Sequence, residues 1–94
     1  MTDKYRFEPR KRARRRALQA IYQWQLTGQE AGEILHQFRE AQDMSRVDEE
    51  HFELLVRGIS SKQETLDEAL QPHLDRPIGQ LDQMERAVLR IGAF

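Results

Sequence analysis

This 94-residue chain contains no cysteine, which excludes a disulfide framework and any thiolate metal site. No apolar run approaches the ~20 residues a membrane span requires. The positively charged N-terminus has no apolar stretch behind it, so no signal peptide is expected and the chain reads as a soluble cytoplasmic protein. Period-two alternation and Asn-Gly or Asp-Gly turns are missing, which removes the signals of a β-sheet. The three histidines, His36, His51 and His73, fall on separate segments and form no HExxH pair. There is no phosphate-cradling glycine loop around Gly79 or Gly92, and no nucleophile elbow. Glu49-Glu50 beside His51 reads as an acidic first helical turn rather than an acid/base set. No catalytic site, metal or other cofactor is expected.

Net charge is also nearly absent, at −1. Its distribution is not even. Residues 1–28 carry eight Lys/Arg against two acids, for +6, and residues 29–94 carry seven against fourteen, for −7. Such asymmetry points to an anion-binding end on an acidic body. One domain is all this length supports, and a chain this size buries only about 60–65% of its unfolded surface.

The basic charge is concentrated in Arg10, Lys11, Arg12, Arg14, Arg15 and Arg16, and the one exception in that run is Ala13. On a wheel of about 100° per residue, Ala17, Ala20, Ile21 and Trp24 fall within roughly 80° of Ala13. The run therefore keeps one core-facing stripe and fills the rest of the helix with cations. That is unfavourable for the helix. Cations near an N-terminus oppose the macrodipole by ~0.3–1 kcal/mol each when exposed. Arg10/Arg14, Lys11/Arg15 and Arg12/Arg16 are like-charge pairs at i,i+4. These costs, and the predominance of Arg over Lys, favour an anionic partner with bidentate phosphate contacts over a merely solvated basic face. Tyr22 lies opposite the main stripe, on the side of Lys11 and Arg15, where it can stack on an unpaired base or pack with Leu18 and Leu26 between helices. Trp24 is assigned to the core.

The chain reads as all-α, a bundle of about four to five helices with short connections. Residues 1–8 lack periodicity and are expected to form a flexible arm, with Pro9 at or just before the first helical turn. The helical domain is expected over 9–94. The first helix should end at Thr27, with Gly28 as its stop. A second covers about Glu30 to Gln42 through Ile34, Leu35, Phe38 and Ala41, followed by a turn at Asp43–Arg46. Asp48 is the expected N-cap of a third helix, with a staple between Val47 and Phe52. Its stripe of Phe52, Leu55, Val56, Ile59, Leu66 and Leu70 continues to about Gln71, with a kink expected around Gly58–Ser61. Arg76–Gly79 breaks the chain. Asp82 and Glu85 have capping-box spacing for a last helix whose expected core stripe is Met84, Val88 and Ile91. That helix reaches Gly92-Ala93-Phe94 without a cap or polar tail, which reads as a chain truncated in mid-helix.

Three segments, ALQAIYQWQL (17–26) after the basic run, HFELLVRGI (51–59) and MERAVLRI (84–91), together resemble the NusB family of bacterial transcription antitermination factors. The resemblance covers nearly the whole chain. It implies an all-helical fold of two packed subdomains, the second incomplete here because two further helices are missing. It also implies binding of single-stranded boxA RNA from ribosomal-RNA leaders, together with NusE, a small-subunit ribosomal protein, in an assembly with NusA, NusG and RNA polymerase. The family's Arg-rich motif maps onto Arg10, Lys11, Arg12, Arg14, Arg15 and Arg16, and a family tyrosine near the RNA onto Tyr22. An acidic NusE-facing position maps onto Glu85. With its last helices uncovered, the chain is expected to be marginally folded or to form a homodimer or swapped oligomer.

Two other readings remain open at this stage. One is the NusB-like RNA-binding domain of a ribosomal-RNA cytosine methyltransferase, which would continue into a doubly wound domain. The other is a basic amphipathic helix for membranes or acidic proteins, disfavoured because the Ala13/Ala17/Ala20 stripe offers little insertion energy.

Overall fold

A computed structural model describes the backbone from Thr2 onward and the side chains from Glu8 onward. Five α-helices follow one another, α1 (Thr2–Thr27), α2 (Ala31–Ala41), α3 (Glu49–Ser61), α4 (Gln63–Leu70) and α5 (Gln83–Ala93). Two short 3₁₀ turns, Gln71–His73 and Ile78–Gln80, connect α4 to α5. Among the described residues there is no strand, and no helix is long and apolar enough to cross a membrane.

The long helix α1 is the spine. It packs against α2, α3 and α5, and α4 lies against α5. Its stripe is the expected one, with Ala13, Ala17, Ala20 and Ile21 wholly buried. Three alanines let the neighbouring helices approach closely, and the bulk comes from across the interface. Ile34, Leu35 and Phe38 of α2 and Phe52, Leu55, Val56 and Ile59 of α3 fill that space. The Phe38 and Phe52 rings meet at 5.8 Å with a 38° tilt, inside the range of favourable aromatic pairs.

Helix ends follow local chemistry closely. Gly28 adopts φ +71° and its N–H donates to the Trp24 carbonyl (2.9 Å), closing α1 in the left-handed conformation that glycine tolerates. The Asp48 carboxylate accepts the His51 N–H (3.0 Å) and that of Asp82 accepts the Glu85 N–H (2.8 Å). Both expected N-caps are therefore present.

Several expectations need correction. The helix passes through Pro9 and begins at Thr2, because residues 2–8 contain no breaker and proline in the first turn cannot be told by sequence from proline two turns in. The expected arm over 1–8 falls, Glu8 apart, outside the residues whose side chains are described. The stripe from Phe52 to Leu70 belongs to two helices rather than one kinked helix. The chain breaks at Lys62 (φ −110°, ψ 22°), whose N–H still donates to the Gly58 carbonyl. Ala41, expected on the apolar stripe, is exposed as the last residue of α2. Met44, within the expected Asp43–Arg46 turn, is buried and joins the core.

The largest correction concerns α5. Of the expected stripe only Ile91 is buried, whereas Met84 and Val88 are about half exposed. The inner face is instead Ala87, Arg90 and Ile91. Arg90 is the one buried charged residue among those described. Its guanidinium meets the Asp67 carboxylate through two bonds (2.9 and 2.8 Å) and donates to the Gln25 side-chain oxygen (2.9 Å). It also lies 5.8 Å from the Trp24 ring centre, within cation–π reach. Trp24 is accordingly half-buried at the edge of the core rather than central in it. Gln25 further donates to the Gln83 carbonyl (2.7 Å), so a polar cluster joins α1, α4 and α5 where the alanine stripe ends.

Candidate nucleic-acid interface

The neighbours of the basic run of α1 divide it into two groups. Arg10, Arg12 and Arg16 face the connection between α2 and α3. The Arg10 Nε lies 3.6 Å from the Asp48 carboxylate, and Arg12 donates to the Arg46 carbonyl (3.4 Å). Pro9 reinforces this seam by accepting the Asp48 N–H at its carbonyl (3.1 Å). Arg16 is half-buried, with its Nε shielded from solvent and without a hydrogen-bond partner. Its charge and that of Arg46 help hold the Asp43 carboxyl below its ordinary 3.8, mainly because that carboxylate accepts hydrogen bonds from Ser45.

Lys11, Arg14 and Arg15 point the other way, toward α5, and all three are exposed. They line an open groove of about 300 Å³ whose remaining walls are Leu18, Val88 and Ile91. The cations stand on the α1 edge at i, i+3 and i+4, and the α5 edge contributes only apolar side chains. Tyr22 is half-buried one helical turn beyond Leu18 and does not line the groove. The six expected cations thus do not form one patch. Three are gathered at a groove, and three face a loop that already supplies acceptors.

Glu85 lies on the same helix as Val88, in the adjoining groove of about 360 Å³ formed with Asp82, Met84, Val88 and Leu89. Its carboxyl is raised above the ordinary 4.5, first by the hydrogen bond it shares with Asp82 and then by that neighbour's negative charge. The Asp82 carboxyl is held low in turn, chiefly by the backbone N–H of Glu85. Val88 borders both grooves, so its exposed side chain separates a basic-edged depression from an acidic-edged one. Sequence reasoning placed Val88 in the core and so missed it. No local signal showed it, because Arg90 turns inward only through its partners Asp67 and Gln25, which lie far away in sequence.

The NusB family profile matches residues 11–94. The transcription antitermination protein NusB of Alcanivorax borkumensis is 49% identical over 85 residues, covering 90% of this chain and 57% of that protein. Its counterpart in Idiomarina loihiensis is 51% identical over 85 residues, covering 90% of this chain and 61% of that protein. That of Psychromonas ingrahamii is 46% identical over the same length, covering 59% of that protein. The chain spans about three-fifths of the length of these curated relatives. An all-helical architecture, the three expected sequence segments in their expected helices, and a match reaching from Lys11 to Phe94 place this chain in the NusB family.

Proposed function

We propose that the chain is a non-catalytic RNA-binding component of transcription antitermination, which holds single-stranded boxA-type RNA next to a ribosomal-protein partner, NusE. NusA, NusG and RNA polymerase complete the assembly in this reading. Membership of the NusB family and the names of its relatives support the antitermination role. The observation that carries the mechanism is the juxtaposition on α1 and α5. Lys11, Arg14 and Arg15 edge one groove, and Glu85 edges the next, with Val88 between them.

Cations at such a groove neutralise phosphates and release counterions, which supplies affinity without reading sequence. Choice of sequence then comes from bases displayed in single-stranded form and from the surface shared with the partner. Glu85 on the acidic-edged side suits a basic ribosomal protein, and Tyr22 extends the α1 surface by one turn. Arg10 and Arg12 are held by single, partly exposed contacts that a phosphate can replace, and the shielded Arg16 Nε has no hydrogen-bond partner.

The test is binding of a labelled boxA-type RNA across a salt series, with and without NusE. With six cations engaged, the log–log slope should be about −4, at ~0.7 per phosphate for single strands. Changing Lys11, Arg14 and Arg15 to Ala should weaken binding at every sequence and reduce the slope by about 2. NusE should tighten binding, and Glu85→Lys should abolish that gain while leaving RNA binding alone intact. A salt-independent interaction, or one indifferent to the three substitutions, would refute the proposal.

A further inference from the structure

The groove between α1 and α5 has more structure than a basic patch needs. A patch that only neutralises phosphate is served by side chains spread over a convex helix. Here the three cations border a depression whose walls are Leu18, Val88 and Ile91, and Val88 leaves about half of its surface open to water. The asymmetry of the walls is the informative feature. Among the described residues every charged side chain of the groove stands on the α1 edge, and the α5 edge is aliphatic.

Single-stranded nucleic acid has the matching asymmetry, with phosphates along one side and bases projecting from the other. A volume of about 300 Å³ suits one planar heterocycle, at the lower limit of small-ligand pockets. We infer that this groove is a subsite for one unpaired nucleobase, which lies on Leu18 and Val88 while its flanking phosphates pair with Lys11, Arg14 and Arg15. The inference rests on the RNA-binding reading above and deepens it. It assigns a base contact to α5, which carries no cation in this groove, and it makes Val88 a determinant of binding that salt does not screen.

The experiment is a scan. A labelled single-stranded RNA is taken, and one base at a time is replaced by an abasic site, which keeps every phosphate. One position should lose affinity by about fivefold to tenfold, the low end for stacking a base, because the floor is aliphatic rather than aromatic. Val88→Ala should lower affinity for the intact RNA by about threefold and shrink the abasic penalty at that position alone, a coupling that a double-mutant cycle reads directly. Its salt slope should match that of the unaltered protein. Val88→Thr, which keeps the shape, separates loss of apolar contact from loss of volume. Since Val88 is half exposed, neither variant should unfold the chain, and far-UV circular dichroism checks this.

A flat abasic scan, with binding that remains salt-dependent and sensitive to Arg14 and Arg15, overturns the base subsite and leaves the RNA-binding proposal standing. Absence of salt-dependent RNA binding in the unaltered protein overturns both. A poly-glutamate peptide whose affinity falls on Val88→Ala, alongside a flat scan, would assign the groove to an acidic protein segment instead.

Discussion

The buried ion pair between α4 and α5 gives the sharpest test of the packing argument. The Arg90 side chain is 4% exposed and that of its partner Asp67 is 19% exposed. Replacing Asp67 with Ala leaves a guanidinium inside the fold with one neutral partner, Gln25, and the face of Trp24. Breaking a buried pair by removing one partner typically costs 3–5 kcal/mol, because the remaining charge is uncompensated. A small depression of about 230 Å³ beside Trp24, Gln25 and Arg90 lets some water approach, which argues for the lower end. The expected loss for Asp67→Ala is therefore about 3 kcal/mol, a large part of the 5–15 kcal/mol that domains usually possess. Arg90→Met should cost less, about 1–2 kcal/mol, since it removes the charge, keeps the apolar stem and leaves a carboxylate that can turn to solvent. Urea unfolding followed by far-UV circular dichroism and by Trp24 fluorescence measures both. If Arg90→Met is as damaging as Asp67→Ala, or if the two losses simply add, the uncompensated-charge argument is wrong.

Three further outcomes follow from the same geometry. Gly28→Ala should destabilise by about 1 kcal/mol through its positive φ alone, as nothing lies within 4 Å of the added methyl; Gly28→Asn should recover part of that in the same melts. Asp48→Ala should cost about 1 kcal/mol by uncapping α3, and amide exchange at His51 should accelerate before that of the core. Acid should destabilise the fold through Asp43, Asp82 and Glu53, whose carboxyls are held below their ordinary values by hydrogen bonds from Ser45, Glu85 and Arg39 respectively. A depressed folded-state value means that the contribution is full above the ordinary 3.8 for Asp or 4.5 for Glu and disappears as pH falls through the lower value. Glu85 has the opposite sign, because its raised carboxyl favours the fold below 4.5 and loses that contribution as pH rises. Glu85→Gln should therefore steepen the acid limb of a stability-versus-pH curve, and an unchanged limb would contradict the Asp82–Glu85 coupling.

The all-helical class, the caps and the inner face of α1 were legible in the sequence because each depends on residues within a turn or two, whereas the start of α1 at Thr2 and the break at Lys62 were not. Asp48 and Asp82 cap whatever helix follows them, Gly28 ends whatever helix precedes it, and Ala13, Ala17, Ala20 and Ile21 share a face by the helical period alone. The concentration of cations near the start of α1 was equally local, as was the absence of any sheet signal. Two matters were not local. Which side of α5 turns inward was decided by Asp67 and Gln25, far away in sequence, because an arginine with two partners at 2.8–2.9 Å can be buried in place of a methionine and a valine. Which three of six cations border a groove was decided by where α5 lies against α1, whereas the α2–α3 connection occupies the opposite side of the same helix with its own acceptors. A period assigns residues to faces; only the neighbouring elements determine what each face meets, since the energy of a charge or a methyl depends on the partner it finds there.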